Sequence, residues 1–362
     1  MKHFCVLPWV GQETQWNLKS THCCLLRTPY DVEKIKNQML AGERPEECHC
    51  CWALEDQGLT SDRQLKNAAL DYYWDKNIED IFTMAQNNQL NDVLMLKLIT
   101  SYTCNATCVS CNSSASSSWY QLEQKMSSNF PIRSYSFIDL NEVKKNVDFK
   151  KLMALSLIGG EPLYEKKNFD LLEHILELGN NSIFISIVTN GSVALSSRQK
   201  QVLSQFKNVN FSVSIDGTGP VFEYMRYPLK WDELLKNLKF FNELTDNVSS
   251  NYTLSNVNVL YHNQTVQWFN DNNIPYANNP IMWPTWLRPH SLPESVKQVL
   301  KAKLNAVDYQ TYVAGANSSH DDQNYIKLCK EIYKQDQAKG IKIMDYLPEL
   351  CAIAPELGRP VL

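Results

Sequence analysis

Between residues 93 and 284, short apolar runs alternate with amphipathic stretches of helical period, and this alternation constrains the fold more than any other feature of the chain. Strands are predicted at 93–100 (VLMLKLIT), 154–160, 183–191, 208–217, 251–261 and 279–284. Helices are predicted at 114–126, 169–179, 196–206, 230–245 and 265–273, with Gly179 as a stop and Ser196 as a cap. An irregular insertion to about residue 150 follows the first helix. Near-continuous apolar strands joined by helices imply a parallel sheet covered by helices. Right-handed crossovers leave a doubly wound sheet or a barrel, whole or partial. The polar punctuation falls after the strands: SYTCNATCVSC, GGEP, TNG and SIDGTG. In parallel α/β folds the carboxyl ends of the strands line the site, so these four motifs are expected at one rim.

The cysteines narrow the chemistry. Eleven occur, at 5, 23, 24, 48, 50, 51, 104, 108, 111, 329 and 351. Clustering this tight reads as metal or redox chemistry rather than a disulfide framework, and an odd count forbids full internal pairing. The 362 residues carry a net charge of −4, with 44% hydrophobic and 20% charged residues. That composition excludes disorder along most of the chain. It also argues against a broad phosphate-binding surface, so no nucleic-acid partner is expected. No stretch approaches the roughly 18 apolar residues of a membrane span, and Pro8 breaks the apolar start before a signal-peptide core can form. The expectation is a cytoplasmic protein without membrane contact.

Cys104, Cys108 and Cys111 form C-x3-C-x2-C just after a strand. Three thiolates in one loop can hold three corners of an iron–sulfur cube, leaving one iron open to an amine and a carboxylate. A structural zinc site would want a fourth ligand. Spacing alone also allows three buried thiols or part of a zinc knot. In GGEP two glycines permit close approach to the backbone, and Glu161 can accept from an ammonium; a plain β-turn is the alternative.

Taken in order, these motifs resemble the radical S-adenosylmethionine (SAM) superfamily. The resemblance rests on Cys104, Cys108 and Cys111 after the first strand, Gly159-Gly160-Glu161-Pro162 after the second, Thr189-Asn190-Gly191 after the third and Ser214-Ile215-Asp216-Gly217 after the fourth. It covers about residues 93–284 and implies a partial (β/α)6 barrel. It further implies that the three cysteines hold a 4Fe–4S cluster whose fourth iron chelates the methionine part of S-adenosylmethionine. Reductive cleavage of the cofactor then yields a 5′-deoxyadenosyl radical that abstracts hydrogen from substrate. Such chemistry needs a dry pocket. Gly159, Gly160, Glu161, Pro162, Asn190, Ser214 and Asp216 are the implied cofactor-binding residues. Asn190 and Ser214 can reach a ribose or carboxylate or simply be satisfied strand-end groups, and Asp216 can shape a turn. Arg226 can pair with the cofactor carboxylate or form a surface ion pair. One departure stands out: Ser110 occupies the place before the third cysteine where the family often carries a bulky residue. Adenine contacts are then expected from Val109 or the later strands.

The N-terminal segment holds a second constellation. Cys48 and Cys51 make C-x2-C, and Cys5 with Cys23 or Cys24 completes four thiolates; zinc and iron–sulfur both suit that spacing. The segment also resembles the cysteine-rich twitch half-domain, a shortened SPASM domain, which binds an auxiliary 4Fe–4S cluster. The matching residues are Cys5, Cys23 or Cys24, Cys48 and Cys51 before Trp52. In the usual order that domain follows the barrel, whereas here it precedes it. Four ligands would close every iron, so such a cluster passes electrons or braces the fold. Cys24 and Cys50 read as spares, alternates or hydrogen-atom donors; Cys329 and Cys351 read as core positions.

The expected organisation is a cysteine-rich domain over 1–75, the radical core over 93–284 and a helical C-terminal extension over 285–362. Residues 293–304 and 324–340 read as helices, with Gly340 as a stop, and the aromatics of WPTWLRP (283–289) read as packing residues. No P-loop, GxGxxG or HExxH appears. The expected function is hydrogen abstraction from a peptide or protein, leading to oxidation, epimerisation or cross-linking, because a partial barrel leaves a lateral opening for an extended chain. A small molecule such as a sugar or nucleotide is the alternative substrate. A non-catalytic zinc or iron–sulfur protein, or electron carrier, is the alternative class. A flavodoxin- or ferredoxin-type electron donor is the implied partner.

Overall fold

The computed structural model describes residues 1–14, 20–23, 25–26, 29–56, 58, 60–127, 139–314 and 322–360. The chain divides into two compact units. The first comprises Met1–Ser101, Tyr135–Ile187 and Leu195–Asn210; the second comprises Tyr102–Ser134, Val188–Ala194 and Phe211–Leu362. Eight strands occur among the described residues: β1 (Gly11–Thr14), β2 (Ser20–Thr21), β3 (Met95–Ile99), β4 (Ala154–Ile158), β5 (Phe184–Thr189), β6 (Asn208–Ser214), β7 (Val248–Leu254) and β8 (Tyr276–Pro280). Strands β5 and β6 each begin in the first unit and end in the second.

In the first unit β1, β3, β4 and β5 run parallel, with Gly11 opposite Met95, Met95 opposite Ala154 and Ala154 opposite Phe184; β2 pairs antiparallel with β1. The period-2 pattern of these strands buries Leu96, Leu98, Leu155, Leu157, Ile185 and Ile187. Helix Lys166–Glu177 buries Phe169, Leu171, Leu172 and Ile175, the spacing of one apolar stripe, and each such side chain contributes roughly 1.5–3 kcal/mol. Gly179, with φ of 82°, follows that helix as its sequence implied. Phe4, Val6 and Val10 share a buried cluster with Leu70, Ile81, Ala85, Leu90 and Leu94, so the N-terminal segment packs into this unit's core.

In the second unit β6, β7 and β8 are parallel, with Phe211 opposite Val248 and Ser250 opposite Tyr276. Helix Trp231–Leu244 buries Leu234, Leu238 and Phe241, and Phe241 stacks on Phe211 at 4.2 Å. The C-terminal region is helical, including Glu294–Lys303 and Asp322–Lys339. Cys329 and Cys351 are buried core residues. No helix among the described residues is long and apolar enough to cross a membrane.

The fold is mixed α/β, as expected, and all six predicted strands are present. Two are displaced. The fifth begins at Val248 and ends at Leu254, because Asn258 accepts from the Ser255 N–H (2.7 Å) and donates to the Thr253 carbonyl (2.8 Å), turning the backbone before residue 261. The sixth spans Tyr276–Pro280 instead of 279–284. Pro280 and Pro284 supply no N–H to a ladder, which favours the earlier stop. The insertion contains a helix, Leu140–Asn146, capped by Asp139; its one buried apolar residue, Val143, left no period to detect. Residues 128–138 of the insertion lie outside the described residues. In WPTWLRP, Leu287 is buried but Trp283 is 76% exposed, contrary to the packing expected of it.

Candidate metal centres

The loop carrying Cys104, Cys108 and Cys111 belongs to the second unit. The serine run behind it does two jobs. Ser116 caps helix Ser117–Met126 by accepting from the Trp119 N–H, and its hydroxyl donates to the Ala106 carbonyl (2.9 Å). Ser118 donates to the Cys104 carbonyl (2.6 Å), the Cys104 N–H donates to Ser117 Oγ (3.1 Å), and Trp119 Nε1 donates to the Cys108 carbonyl (2.9 Å). On the other side, the Thr107 N–H donates to the Tyr227 carbonyl (2.7 Å) and the Val109 N–H to the Met225 carbonyl (2.9 Å). The loop is therefore tied to one helix and its cap through three carbonyls and the Cys104 amide, and to residues 225–227 through the Thr107 and Val109 amides.

Two of the three sulfurs meet side-chain N–H donors. Asn190 Nδ2 lies 4.0 Å from Cys104 Sγ and 2.9 Å from Asn105 Oδ1. Arg226 Nη1 lies 3.8 Å from Cys108 Sγ, and its Nε lies 2.7 Å from Asp216 Oδ2 in an ion pair whose carboxylate is fully buried. Asp216 also accepts from the Thr253 N–H (2.9 Å), and its carbonyl accepts from Asn258 (2.8 Å). Burial pushes the Cys108 thiol up, and burial with the neighbouring Cys108 pushes Cys111 up to about 12. Lys339, from the C-terminal helix, sits 5.2 Å from the centre of the Trp119 ring; burial lowers its amine to about 8 against the pull of Cys108 and Asp336. Iron bound by these thiolates would relieve that burial cost, since metal ligation deprotonates a thiol outright.

Within the second unit, Asn190 meets Cys104, Arg226 joins Cys108 to Asp216, and Cys111 lies within electrostatic reach of Cys104 and Cys108. Arg226 is neither at the surface nor pointing at open space, because Asp216 and Cys108 hold it. Ser214 stands half-buried at the end of β6, and Val109 is buried. Gly159 to Pro162 follow β4 in the first unit. Gly159 has φ of 144°, and a Cβ there would lie 2.5 Å from the Ser101 carbonyl oxygen, so the protein's own backbone already demands glycine at this position. The Gly160 N–H donates to that same carbonyl (2.9 Å). Glu161 is buried, and its carboxylate accepts from the Leu163 N–H (3.1 Å), capping the turn at Pro162–Tyr164.

In the first unit a small pocket is lined by Cys5, Cys23, Cys48 and Cys51, with Leu7, Leu26 and Met39 among its apolar walls. Cys48 precedes helix His49–Glu55, and Cys51 follows in its first turn. Burial and the neighbouring Cys51 push Cys48 up to about 12; burial pushes Cys5 up still further, with Cys48 and Cys51 adding to the shift. Arg63 opposes this at all three thiols. Its guanidinium is buried, paired to Glu55 through Nε (2.9 Å) and Nη2 (2.7 Å), donates to the Phe4 carbonyl (2.6 Å) and lies 5.1 Å from the centre of the Trp52 ring. Cys50 is not in the lining, and its sulfur lies 3.4 Å from His49 Nε2. Cys24 lies outside the described residues. Both donor sets are soft thiolates, suited to iron–sulfur or zinc. Among the described residues, no three Cys, His, Asp or Glu converge on a single-ion position.

Residues 98–267 match the family model described as the Radical SAM superfamily, a stretch that contains the three-cysteine loop, GGEP, Asn190, Asp216 and Arg226. This stretch therefore carries the match to the radical SAM superfamily, whose members are enzymes built around a 4Fe–4S cluster and S-adenosylmethionine. Solved structures of low sequence identity are similar. Streptococcus suis SuiB bound to S-adenosylmethionine is 17% identical, with a TM-score of 0.41, over 77% of this chain and 58% of that one. SuiB bound to precursor peptide SuiA gives 17% and 0.41 over 82% and 65%. Native anSMEcpe with bound AdoMet gives 17% and 0.40 over 72% and 66%. The chain therefore spans less than two thirds of those proteins' length. No curated protein sequence matches it.

Sequence reasoning did not find Arg63, Trp119 or Lys339. Trp119 carried a usable signal, lying in the first turn of the serine-capped helix that follows the cysteines. Arg63 and Lys339 carried none, since only tertiary packing brings them to the thiols.

Proposed function

We propose that this radical SAM enzyme acts on a peptide or protein, with Cys104, Cys108 and Cys111 holding its catalytic 4Fe–4S cluster. When bound there, the cluster supplies the electron that cleaves S-adenosylmethionine reductively and so provides the 5′-deoxyadenosyl radical. The observation that carries this reading is the three-thiol loop, fixed through its backbone on two sides and met at two sulfurs by N–H donors. The chain's own residues hold the sulfurs in place and exclude water from Cys108. Gly159, Gly160, Glu161, Pro162, Asn190, Ser214 and Asp216 remain the residues assigned to cofactor binding. A peptide is favoured over a small molecule because the loop after β8 exposes Met282 and Trp283, at 66% and 76%, where a partial barrel is expected to open sideways.

Cys5, Cys23, Cys48 and Cys51 are assigned to an auxiliary 4Fe–4S cluster. Four thiols share one pocket with a buried arginine that offsets their charge. A fully ligated cluster there passes electrons or braces the fold. A flavodoxin- or ferredoxin-type protein is the proposed electron donor.

Anaerobically reconstituted protein mixed with dithionite and S-adenosylmethionine is expected to release 5′-deoxyadenosine. No release, from protein shown spectroscopically to hold its clusters, would overturn the catalytic assignment in favour of an electron carrier. Iron and sulfide for two clusters per chain are expected; zinc in place of iron at the N-terminal pocket would overturn the auxiliary assignment alone.

A further inference from the structure

Cys108 and Arg226 face each other across a short backbone pairing. The Thr107 N–H donates to the Tyr227 carbonyl and the Val109 N–H to the Met225 carbonyl, so the Cα atoms of both residues are fixed by bonds on either side. From Arg226 the planar guanidinium reaches in two directions, with Nη1 3.8 Å from Cys108 Sγ and Nε 2.7 Å from Asp216 Oδ2. Asp216 is fully buried and fixed independently by the Thr253 N–H at 2.9 Å. The guanidinium is 11% exposed and cannot swing away without leaving a buried carboxylate unpaired.

We propose that Arg226, held by Asp216, is a positioning residue for the catalytic cluster: it donates a hydrogen bond to the Cys108 thiolate and sets the cluster's reduction potential. This inference rests on the assignment of Cys104, Cys108 and Cys111 as cluster ligands. One-electron reduction adds negative charge to the cluster and its sulfurs. A donor and a positive charge at one sulfur stabilise the reduced form more than the oxidised form, which raises the potential. Asp216 fixes the donor and cancels part of its field. The two partners therefore act with opposite sign, which a bond serving only the fold does not do. Lysine at 226 keeps the charge but lacks the fork that reaches sulfur and carboxylate together.

The test is an EPR-monitored redox titration, with dithionite as the one-electron reductant, on anaerobically reconstituted full-length protein without substrate. The signal followed is the one lost in the C104A/C108A/C111A variant. Arg226→Gln is expected to move the potential negative, Asp216→Asn to move it positive, and Arg226→Lys to fall between Arg226→Gln and wild type. Unchanged potentials, or shifts of the same sign in Arg226→Gln and Asp216→Asn, overturn the inference. Where Arg226→Gln does not retain iron, the order of Asp216→Asn above wild type and Arg226→Lys below it decides the matter alone. A wild-type protein with no cluster at the three cysteines overturns the ligand assignment itself, a separate failure.

Discussion

The two thiol sites solve one electrostatic problem in different ways. Each places buried sulfur beside a buried arginine that is itself held by a carboxylate: Arg226 with Asp216 in one unit, Arg63 with Glu55 in the other. At the three-cysteine loop the arginine donates directly to a sulfur. At the four-cysteine pocket the guanidinium donates to the Phe4 carbonyl and lies near the Trp52 ring, reaching the thiols through its field, while the bond to a thiol, at Cys51, comes from the Arg63 backbone. Burying thiolates demands a nearby cation in both cases. The difference lies in how specifically one sulfur is addressed. Under the proposed assignments, a sulfur that governs an electron's energy gains from a side-chain bond aimed at it, whereas four thiols that would close a cluster need mainly compensated charge.

Experiments can break this comparison. The largest effect is expected from C104A/C108A/C111A, which should abolish 5′-deoxyadenosine formation and remove about half of the iron, as one of two clusters. Iron analysis and cofactor-cleavage assays on the same preparation check it; full cleavage would sink the assignment. Next comes Arg63→Ala, which strands Glu55 among buried thiols. A loss of roughly 3–5 kcal/mol in urea unfolding is expected, as for one broken buried pair. A loss below 1 kcal/mol would show that the pair is solvated and the parallel with Arg226 false. C48A/C51A should keep Cys104, Cys108 and Cys111 loaded while losing the other cluster's iron, so that cofactor cleavage without substrate persists. Trp119→Phe leaves the Cys108 carbonyl without its indole donor and should cost about 1–3 kcal/mol. The smallest effect belongs to Cys50→Ala, which should leave iron content and stability within about 0.5 kcal/mol of wild type, because its sulfur lies beside His49 outside the pocket lining.

Much of the three-cysteine site was legible because its candidate ligands fall within eight consecutive residues after a leucine-rich apolar run, where strand, loop and capped helix each leave a local mark. The six core strands were legible for the same reason. What escaped was whatever depends on distant partners. Strand β1 reads GQET, four residues with no apolar alternation, and becomes a strand only because β3 lies alongside it. The early end of β7 follows from the Asn258 side chain, which no apolar pattern encodes. Arg226 was noticed, but its partners were not, since Asp216 is ten residues away and Cys108 is on another loop. GGEP read as an invitation to a ligand because glycine allows close approach; that the Ser101 carbonyl also requires glycine at 159 is visible only in three dimensions.

The backbone bonds from Thr107 and Val109 to residues 225–227 carry one more implication. Cys108 is bonded through the backbone on both sides of its Cα, so, under the proposed assignment, iron lost to a chelator would leave this thiol standing as a fixed post around which the loop can reload without refolding. Slow hydrogen exchange at the Thr107 and Val109 amides in iron-free protein is the expected mark of such a memory.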